Sequence, residues 1–447
     1  MKRLAGVNPP HHKTTADSVP RRIPVPAEVT LPMLMHIGAP SKPVVKPGDE
    51  VKVYQLIAEA GGFVSSPVYS SVSGKVKSIG SVRLASGQNV PAVVVESDGL
   101  QRPYEGISAP TVTNLQEFLA AVRDSGVVGL GGAGFPTAVK LTTDDISRFE
   151  YIIVNGAECE PYVTSDTRTM IDDKDLVWEG VLLLKKYFHK SRIIIGIEDN
   201  KPACIKGFQE LCAGAEGVEV FTLPSKYPQG GEKVLVYQTT GRIVPEDKLP
   251  LDVNTVVINC TTLAVIARYV KTGVPLVEKC VTVDGSAVKE PQNVIAPIGT
   301  PIKNLFDFCG GFVSEPKKIL YGGPMMGTAV SNLDEPLLKN NNAVLAFNEK
   351  DSQLPEETEC IRCGRCVDHC PMHLMPVFIE SAYKLKRADL LERHKVNICM
   401  ECGCCAYVCP ARRRLVQVMK LSKPILKEYL SEKAKKAKRE EKEAVKA

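Results

Sequence analysis

Cys360-x-x-Cys363-x-x-Cys366-x-x-x-Cys370-Pro371 returns after an insert as Cys399-x-x-Cys402-x-x-Cys405-x-x-x-Cys409-Pro410. Eight thiols at this spacing, written twice, are the pattern of two cubane iron–sulfur clusters. Three cysteines two residues apart wrap one face of a cluster, and the fourth, followed by Pro, reaches across to the other. On that logic Cys360, Cys363, Cys366 and Cys409 hold one [4Fe–4S] cluster, and Cys399, Cys402, Cys405 and Cys370 hold the second. Zinc and disulfides are the competing readings. Zinc sites use paired Cys-x-x-Cys or mixed Cys/His sets, and a run of three followed by Cys-Pro fits them poorly. A chain with this stretch handles single electrons.

Around it lie 447 residues, enough for several domains with sizeable cores. The 44% hydrophobic and 24% charged content is that of a soluble globular protein. Of the net charge of +5, Ser431 to Ala447 carries +3, from seven Lys/Arg and four Glu, so the body is near neutral. No basic stripe is interleaved with aromatic residues, which argues against nucleic-acid binding. Of fifteen cysteines, eight form the runs. Cys404 breaks the register of the second run and reads as a bystander, because Cys405 keeps the spacing to Cys409. Cys159, Cys204, Cys212, Cys260, Cys280 and Cys309 are scattered singly, as buried reduced thiols are, which fits a reducing cytoplasm. The N-terminus has no apolar signal segment, and no stretch approaches the roughly 18 apolar residues of a span. The chain is expected to have no transmembrane segment of its own and to be able to sit on a membrane subunit.

The expected fold class is multidomain α/β. Residues 1–30, rich in Pro, Lys and Arg, are expected to lie extended over the surface. From Val29, short apolar runs are cut by Gly and Pro. Residues 44–49 and 51–57 read as strands about a tight turn, and 66–79 as the second half of one motif. This resembles the barrel-sandwich fold of lipoyl and biotinyl carrier domains. The hairpin tip near Gly61-Gly62-Phe63 has no Lys to modify, so residues 1–105 are expected to be a structural copy of that fold. Residues 112–272 alternate strands (151–155, 191–197, 218–223, 256–259) with helices (114–123, 172–186, 201–212). That order predicts a mainly parallel, Rossmann-like sheet with helices on both faces. A small α+β module follows at 276–335, then a polar loop at 328–358 containing Asn340-Asn-Asn342. The cluster domain, 350–420, carries a helical insert at 372–394, and 421–447 reads as a charged helical tail.

Four loops upstream are candidates for a nucleotide or flavin. Gly129-x-Gly131-x-x-Gly134 matches the dinucleotide fingerprint as a string, but the strand before it, Val127-Val128, is short. A simple Gly-dense turn is the alternative. Asn155-Gly-Ala-Glu158-Cys-Glu160-Pro161 leaves a strand at its carboxyl end, where open α/β sheets bind ligands. A solvated acidic loop is the alternative there. Tyr227-Pro-Gln-Gly230-Gly231-Glu232-Lys233 and Asn259-Cys260-Thr261-Thr262 occupy two further strand exits.

The four loops resemble, in order, those of the flavin- and NADH-binding subunit of respiratory complex I. The β-grasp soluble-ligand-binding (SLBB) module of that subunit resembles residues 281–327. Asn8-Pro9-Pro10-His11-His12-Lys13, His36-Ile-Gly-Ala-Pro40, Tyr227 to Lys233 and the twin cysteine runs are similar to the RnfC family, which belongs to the Rnf complex, an ion-translocating ferredoxin:NAD oxidoreductase. The resemblance covers roughly residues 5–420. It implies FMN against Gly129, Gly131, Gly132, Gly134, Lys140, Asn155, Glu158, Tyr227, Gly230, Asn259 and Cys260. It implies NADH near Phe135, Glu160 and Glu232. Five positions depart from the complex I pattern: Leu130 stands for Arg, Gly156 for Ala, Ala157 for Asp, Gly231 for Glu and Cys260 for Asn. The implied activity is exchange of hydride with NAD(H) through FMN and of single electrons through two [4Fe–4S] clusters. The implied partners are a ferredoxin-like cluster subunit and membrane flavin subunits, with the chain peripheral on the cytoplasmic face of the cell membrane. A soluble flavin and iron–sulfur reductase, such as a cobalamin reductase, and a scaffold that binds no nucleotide are the alternatives.

Overall fold

The computed structural model describes residues 4–143 and 145–444. The expected four-part α/β architecture is present. The first part is two facing sheets. One runs Glu28–Pro32, Asn89–Ser97, Gly74–Arg83 and Glu50–Val51, the other Lys42–Pro43, Leu56–Glu59 and Val68–Tyr69. Alternate residues point inward: Val29 pairs with Val95 and Leu31 with Val93, all fully buried. At the hairpin tip a Cβ on Gly61 would lie 1.9 Å from the Pro40 carbonyl, so glycine is needed for the tip to close on residues 39–40.

The second part is a four-stranded, all-parallel sheet in the order Val218–Leu223, Arg192–Glu198, Tyr151–Gly156, Thr255–Asn259. Three of its strands are apolar runs buried on both faces, as parallel strands are, whereas the edge strand Val218–Leu223 is part-exposed. The order reverses between the first strand in the chain, Tyr151–Gly156, and the last, Thr255–Asn259, which makes that pair the topological switch point. The helix expected at 172–186 is Lys174–Tyr187, and a further helix, Ser165–Asp172, precedes it, the two parted where the backbone leaves helical geometry at Asp173.

The third part is a six-stranded mixed sheet: Arg21–Arg22, Gln292–Pro297, Glu278–Asp284, Ala343–Phe347, Lys318–Tyr321, Thr328–Val330. Ala343–Phe347 is an interior strand, buried throughout, where a polar loop was expected. The five apolar residues pair with strands on both sides; Thr328–Val330 is a further strand and Glu349–Ser352 a short helix, and the stretches between them, the Asn run included, are irregular. In the cluster domain the insert is two helices, Pro376–Lys384 and Ala388–Arg393, broken at Lys386, whose φ is +55°. The helix Leu415–Ala444 packs Met419 and Leu426 back onto them.

Most of residues 4–20 run over the surface as expected, but the segment is tied down at a few positions. Val7 and Thr15 are buried, and Val7 exchanges both backbone hydrogen bonds with Tyr227 (2.8 and 3.0 Å). The Lys13 ammonium donates to the carbonyls of Glu158 (2.7 Å), Glu160 (2.9 Å) and Val163 (2.5 Å), fixing the strand-exit loop from below.

Candidate functional site

Asn155 and Asn259 are register partners at the carboxyl ends of the two switch-point strands. Asn259 caps the helix Cys260–Thr272 by accepting from the Thr262 N–H (3.1 Å), and its amide donates to Asp166 (2.7 Å). Asn155 accepts from Ala157 N–H (3.0 Å) and donates to the Gly230 carbonyl (3.0 Å), joining two loops. The Gly-rich loop closes on itself through Gly129 N–H to the Phe135 carbonyl (2.9 Å). It is followed by a helix of five residues, Thr137–Leu141, and lies outside the sheet, so it is not a Rossmann fingerprint. It packs against the switch point: a Cβ on Gly131 would lie 2.5 Å from the Asn259 amide nitrogen, and one on Gly132 would meet nothing within 4 Å. Lys279, buried behind the loop, donates to the Leu130 carbonyl (2.9 Å). Lys140 bridges to Glu232 (2.5 Å) and the Val257 carbonyl (2.9 Å).

The expected cofactor residues thus divide. Gly131 and Gly132 are exposed, and Gly129, Phe135, Lys140, Asn155, Gly230, Glu232 and Asn259 are part-exposed at one sheet edge. Gly134, Glu158, Tyr227 and Cys260 are buried. Glu158 accepts from the N–H groups of Asp166 (2.8 Å) and Thr167 (3.2 Å) and the Thr167 hydroxyl (2.7 Å), capping the helix Ser165–Asp172. Burial raises its pKa. Glu160 accepts from Met325 N–H (3.0 Å) and Met326 N–H (2.8 Å), and burial pushes it up to about 7. Asp166 and Lys279 were not legible as site residues, whereas Thr261 lies in the fourth candidate loop and Lys13 in the N-terminal motif. Asp166 holds both Asn259 and the Thr261 hydroxyl (2.7 Å each).

The second cysteine run abuts this site. Cys370, Cys399, Cys402 and Cys405 line one cavity with about 350 Å³ of empty space, part of it open to solvent. Burial raises the thiol pKa of Cys366, Cys370 and Cys399. Among the described residues no three His, Cys, Asp or Glu side chains converge as for a single metal ion. Cys360 and Cys363 are exposed, whereas Cys402 and Cys405 are buried. The Tyr227 hydroxyl donates to the Cys402 carbonyl (2.8 Å), and Val7, Tyr227, Cys402 and Cys404 form one small core.

Four family models match in chain order: the RnfC barrel sandwich hybrid domain over 2–100, the Nuo51 FMN-binding domain over 122–268, the SLBB domain over 280–329 and a 4Fe-4S dicluster domain over 354–410. The chain is 44% identical over 396 residues to the C subunit of the proton-translocating ferredoxin:NAD(+) oxidoreductase complex of Clostridium ljungdahlii, covering 87% of this chain and 85% of that one. This chain belongs to the RnfC family. It is 39% identical over 428 residues to the Na(+)-translocating counterpart of Acetobacterium woodii (94% and 95% covered). It is also 36% identical over 399 residues to the C subunit of the ion-translocating oxidoreductase complex of Rhodobacter capsulatus (88% and 76% covered).

The side chains present fit the cofactors of an RnfC protein. Cys370 of the first run and Cys399, Cys402 and Cys405 of the second line one cavity, with Cys404 beside them. The switch point offers a side-chain-free backbone at Gly131–Gly132 beside two carboxamides, which suits close approach of a phosphate or a flavin ring. No described helix is long and apolar enough to cross a membrane.

Proposed function

We propose that this chain is the nicotinamide-facing electron-transfer subunit of an ion-translocating ferredoxin:NAD+ oxidoreductase, peripheral on the cytoplasmic face of the membrane. One observation carries the reading: the loop that closes the switch-point site, Tyr227 to Glu232, is also the loop that holds the second cysteine run, through Tyr227 and Cys402. A flavin, when bound, converts between the two-electron chemistry of a nicotinamide and the one-electron chemistry of a cluster.

In this reading the backbone of Gly129, Gly131 and Gly132 receives the FMN, with the Asn155 and Asn259 amides at its edge. Phe135 and Glu232 border the nicotinamide, and Lys140 fixes Glu232. Glu158 and Asp166 act one step back: they hold the helix start and the Asn259 amide in place. Gly134 and Cys260 serve by packing, and Tyr227 holds the second cysteine run through the Cys402 carbonyl. Glu160 anchors the strand-exit loop to residues 325–326. Cys370, Cys399, Cys402 and Cys405 hold the inner cluster, and Cys360, Cys363, Cys366 and Cys409 the outer, which faces a cluster-bearing partner.

The test is anaerobic reconstitution with iron, sulfide and FMN, followed by NADH addition under EPR. Two reducible cubane signals, with flavin bound in near-equal ratio to protein, are expected. Reducible clusters without flavin uptake would refute the nicotinamide role. Co-purification with membrane subunits tests the peripheral assignment against a freestanding reductase.

A further inference from the structure

The Asn340-Asn-Asn342 run, just before the strand Ala343–Phe347, meets the Gly-rich loop from the side of the six-stranded sheet. The Lys339 ammonium donates to the Gly126 carbonyl (2.7 Å), at the entry to the loop. The Asn340 amide donates to the Gly132 carbonyl (3.1 Å). The Asn342 side chain accepts from the Lys279 ammonium, which also donates to the Leu130 carbonyl (2.9 Å). Two alternate carbonyls of the loop, Leu130 and Gly132, are thus taken by side chains of the third part. Across a planar trans peptide the C=O and the N–H point in opposite directions. Holding the Leu130 carbonyl therefore turns the Gly131 N–H away from the third part, and holding the Gly132 carbonyl does the same for the Ala133 N–H. Neither N–H has a hydrogen-bond partner among the described residues. The loop is open there: Gly131 and Gly132 are exposed, and the Asn259 amide lies beside Gly131.

We propose that Asn340 and Lys279 are positioning residues that make the Gly-rich loop a seat for the phosphate of FMN. By occupying two carbonyls they turn two N–H groups outward, and they keep away from the ligand the carbonyl oxygens that would repel an anion. Nearby backbone N–H groups freed on one face of a turn form an anion-binding concavity. Lys279 is 4% exposed, so it acts through the loop and not by touching the ligand. Its ammonium adds positive charge on the closed side of the loop, which favours an anion on the open side. The asparagine run is thereby tied to the cofactor from a different part of the chain, over 208 positions from Gly132. The inference rests on the reading that this loop receives FMN.

The experiment measures binding of FMN, riboflavin and NADH, each by fluorescence, to the flavin-free, anaerobically purified full chain. Wild type, Asn340→Ala and Lys279→Met are compared, with Asn332→Ala as an exposed control in the same part. Iron content is measured for each. Riboflavin lacks only the phosphate, so the ratio of the two flavin affinities isolates the contribution of that group. Wild type is expected to prefer FMN about tenfold or more, and each of the first two substitutions to lower that preference about three- to tenfold. Riboflavin affinity, iron content and the control should not change. A general loosening of the fold would instead weaken FMN and riboflavin alike. No preference for FMN in wild type, equal loss of both flavins, or an unchanged preference with weakened NADH binding would each overturn the proposal. Should Lys279→Met not fold, Asn340→Ala alone decides, since Asn340 is part-exposed and its truncation leaves the Lys279 contact intact. Wild-type protein that takes up neither flavin would instead overturn the functional reading beneath it.

Discussion

Replacing Glu160 with Gln exposes how the buried carboxyl is balanced. Its two oxygens accept from Met325 and Met326 N–H, yet burial outweighs those bonds and lifts its pKa from 4.5 to about 7. Between those values the folded chain keeps a proton that the unfolded chain has released. Stability therefore falls as pH rises from about 4.5 to about 7. A shift of about 2.5 units, at roughly 1.4 kcal/mol each, makes the loss about 3 kcal/mol. Gln has no proton to lose. Its single oxygen leaves one of the two N–H groups unpaired, a cost of about 1–3 kcal/mol that does not bend the pH profile. The unfolding free energy of Glu160→Gln relative to wild type should thus climb by about 3 kcal/mol from pH 4.5 to 8. Denaturant unfolding read by Trp178 measures it, because the chain's single Trp lies in the helix Lys174–Tyr187 of the same domain. A level difference across that range, or a gain by wild type with rising pH, would refute the dominance of burial.

Cys370→Ser removes the thiol that crosses from the first run to the second; iron and acid-labile sulfide should fall by half, and retention of both clusters would break the crossed assignment. Lys339→Met tests the opposite pH direction. The Lys339 ammonium is buried against only neutral acceptors, Pro67 and Gly126 carbonyls (2.7 Å each) and the Ser66 hydroxyl (3.2 Å), and burial lowers it to about 7. Wild type should gain stability from about pH 7 to 10.5, where only the unfolded chain still binds the proton, and the Met variant should lack that gain in the same denaturant assay. Asp166→Ala frees the Asn259 amide and the Thr261 hydroxyl, so flavin binding followed by fluorescence should weaken about tenfold or more, with iron content unchanged.

The cysteine runs were legible because ligand spacing is local chemistry, and the parallel sheet because its strands are continuous apolar runs separated by helices. The strand Ala343–Phe347 was hidden by the three Asn before it, although its own composition is that of a buried strand. The supports of the site were not legible, since they act across long separations. Lys13 reaches Glu158 over 145 positions, Lys279 reaches Leu130 over 149, and Asp166 reaches Asn259 over 93. A lysine or aspartate gives no periodic signal of such a contact. Glu158 and Tyr227 lie in the right loops, but their side chains turn inward because unpaired helix N–H groups and a cluster-loop carbonyl await them there.

Two of the departures from the complex I pattern then have a physical account. At position 231, where that pattern has Glu, a Cβ would fall 2.3 Å from the terminal methyl of Met400, between Cys399 and Cys402. Glycine there lets the second run seat itself against the flavin loop. At Gly403, inside the run, a Cβ would sit 2.9 Å from the Met325 carbonyl, and the glycine also takes a φ of +79°. The backbone of that carbonyl cannot yield as a methionine tip can. Gly403 is therefore the stricter of the two contacts, and Gly231 the more tolerant. Cys260, where the pattern has Asn, is buried in the main core beside the Asp166 carbonyl, a place where an unpaired amide would cost more than a thiol. The polar group absent from position 231 thus reflects packing against the docked cluster domain, and the one absent from position 260 reflects burial in the main core.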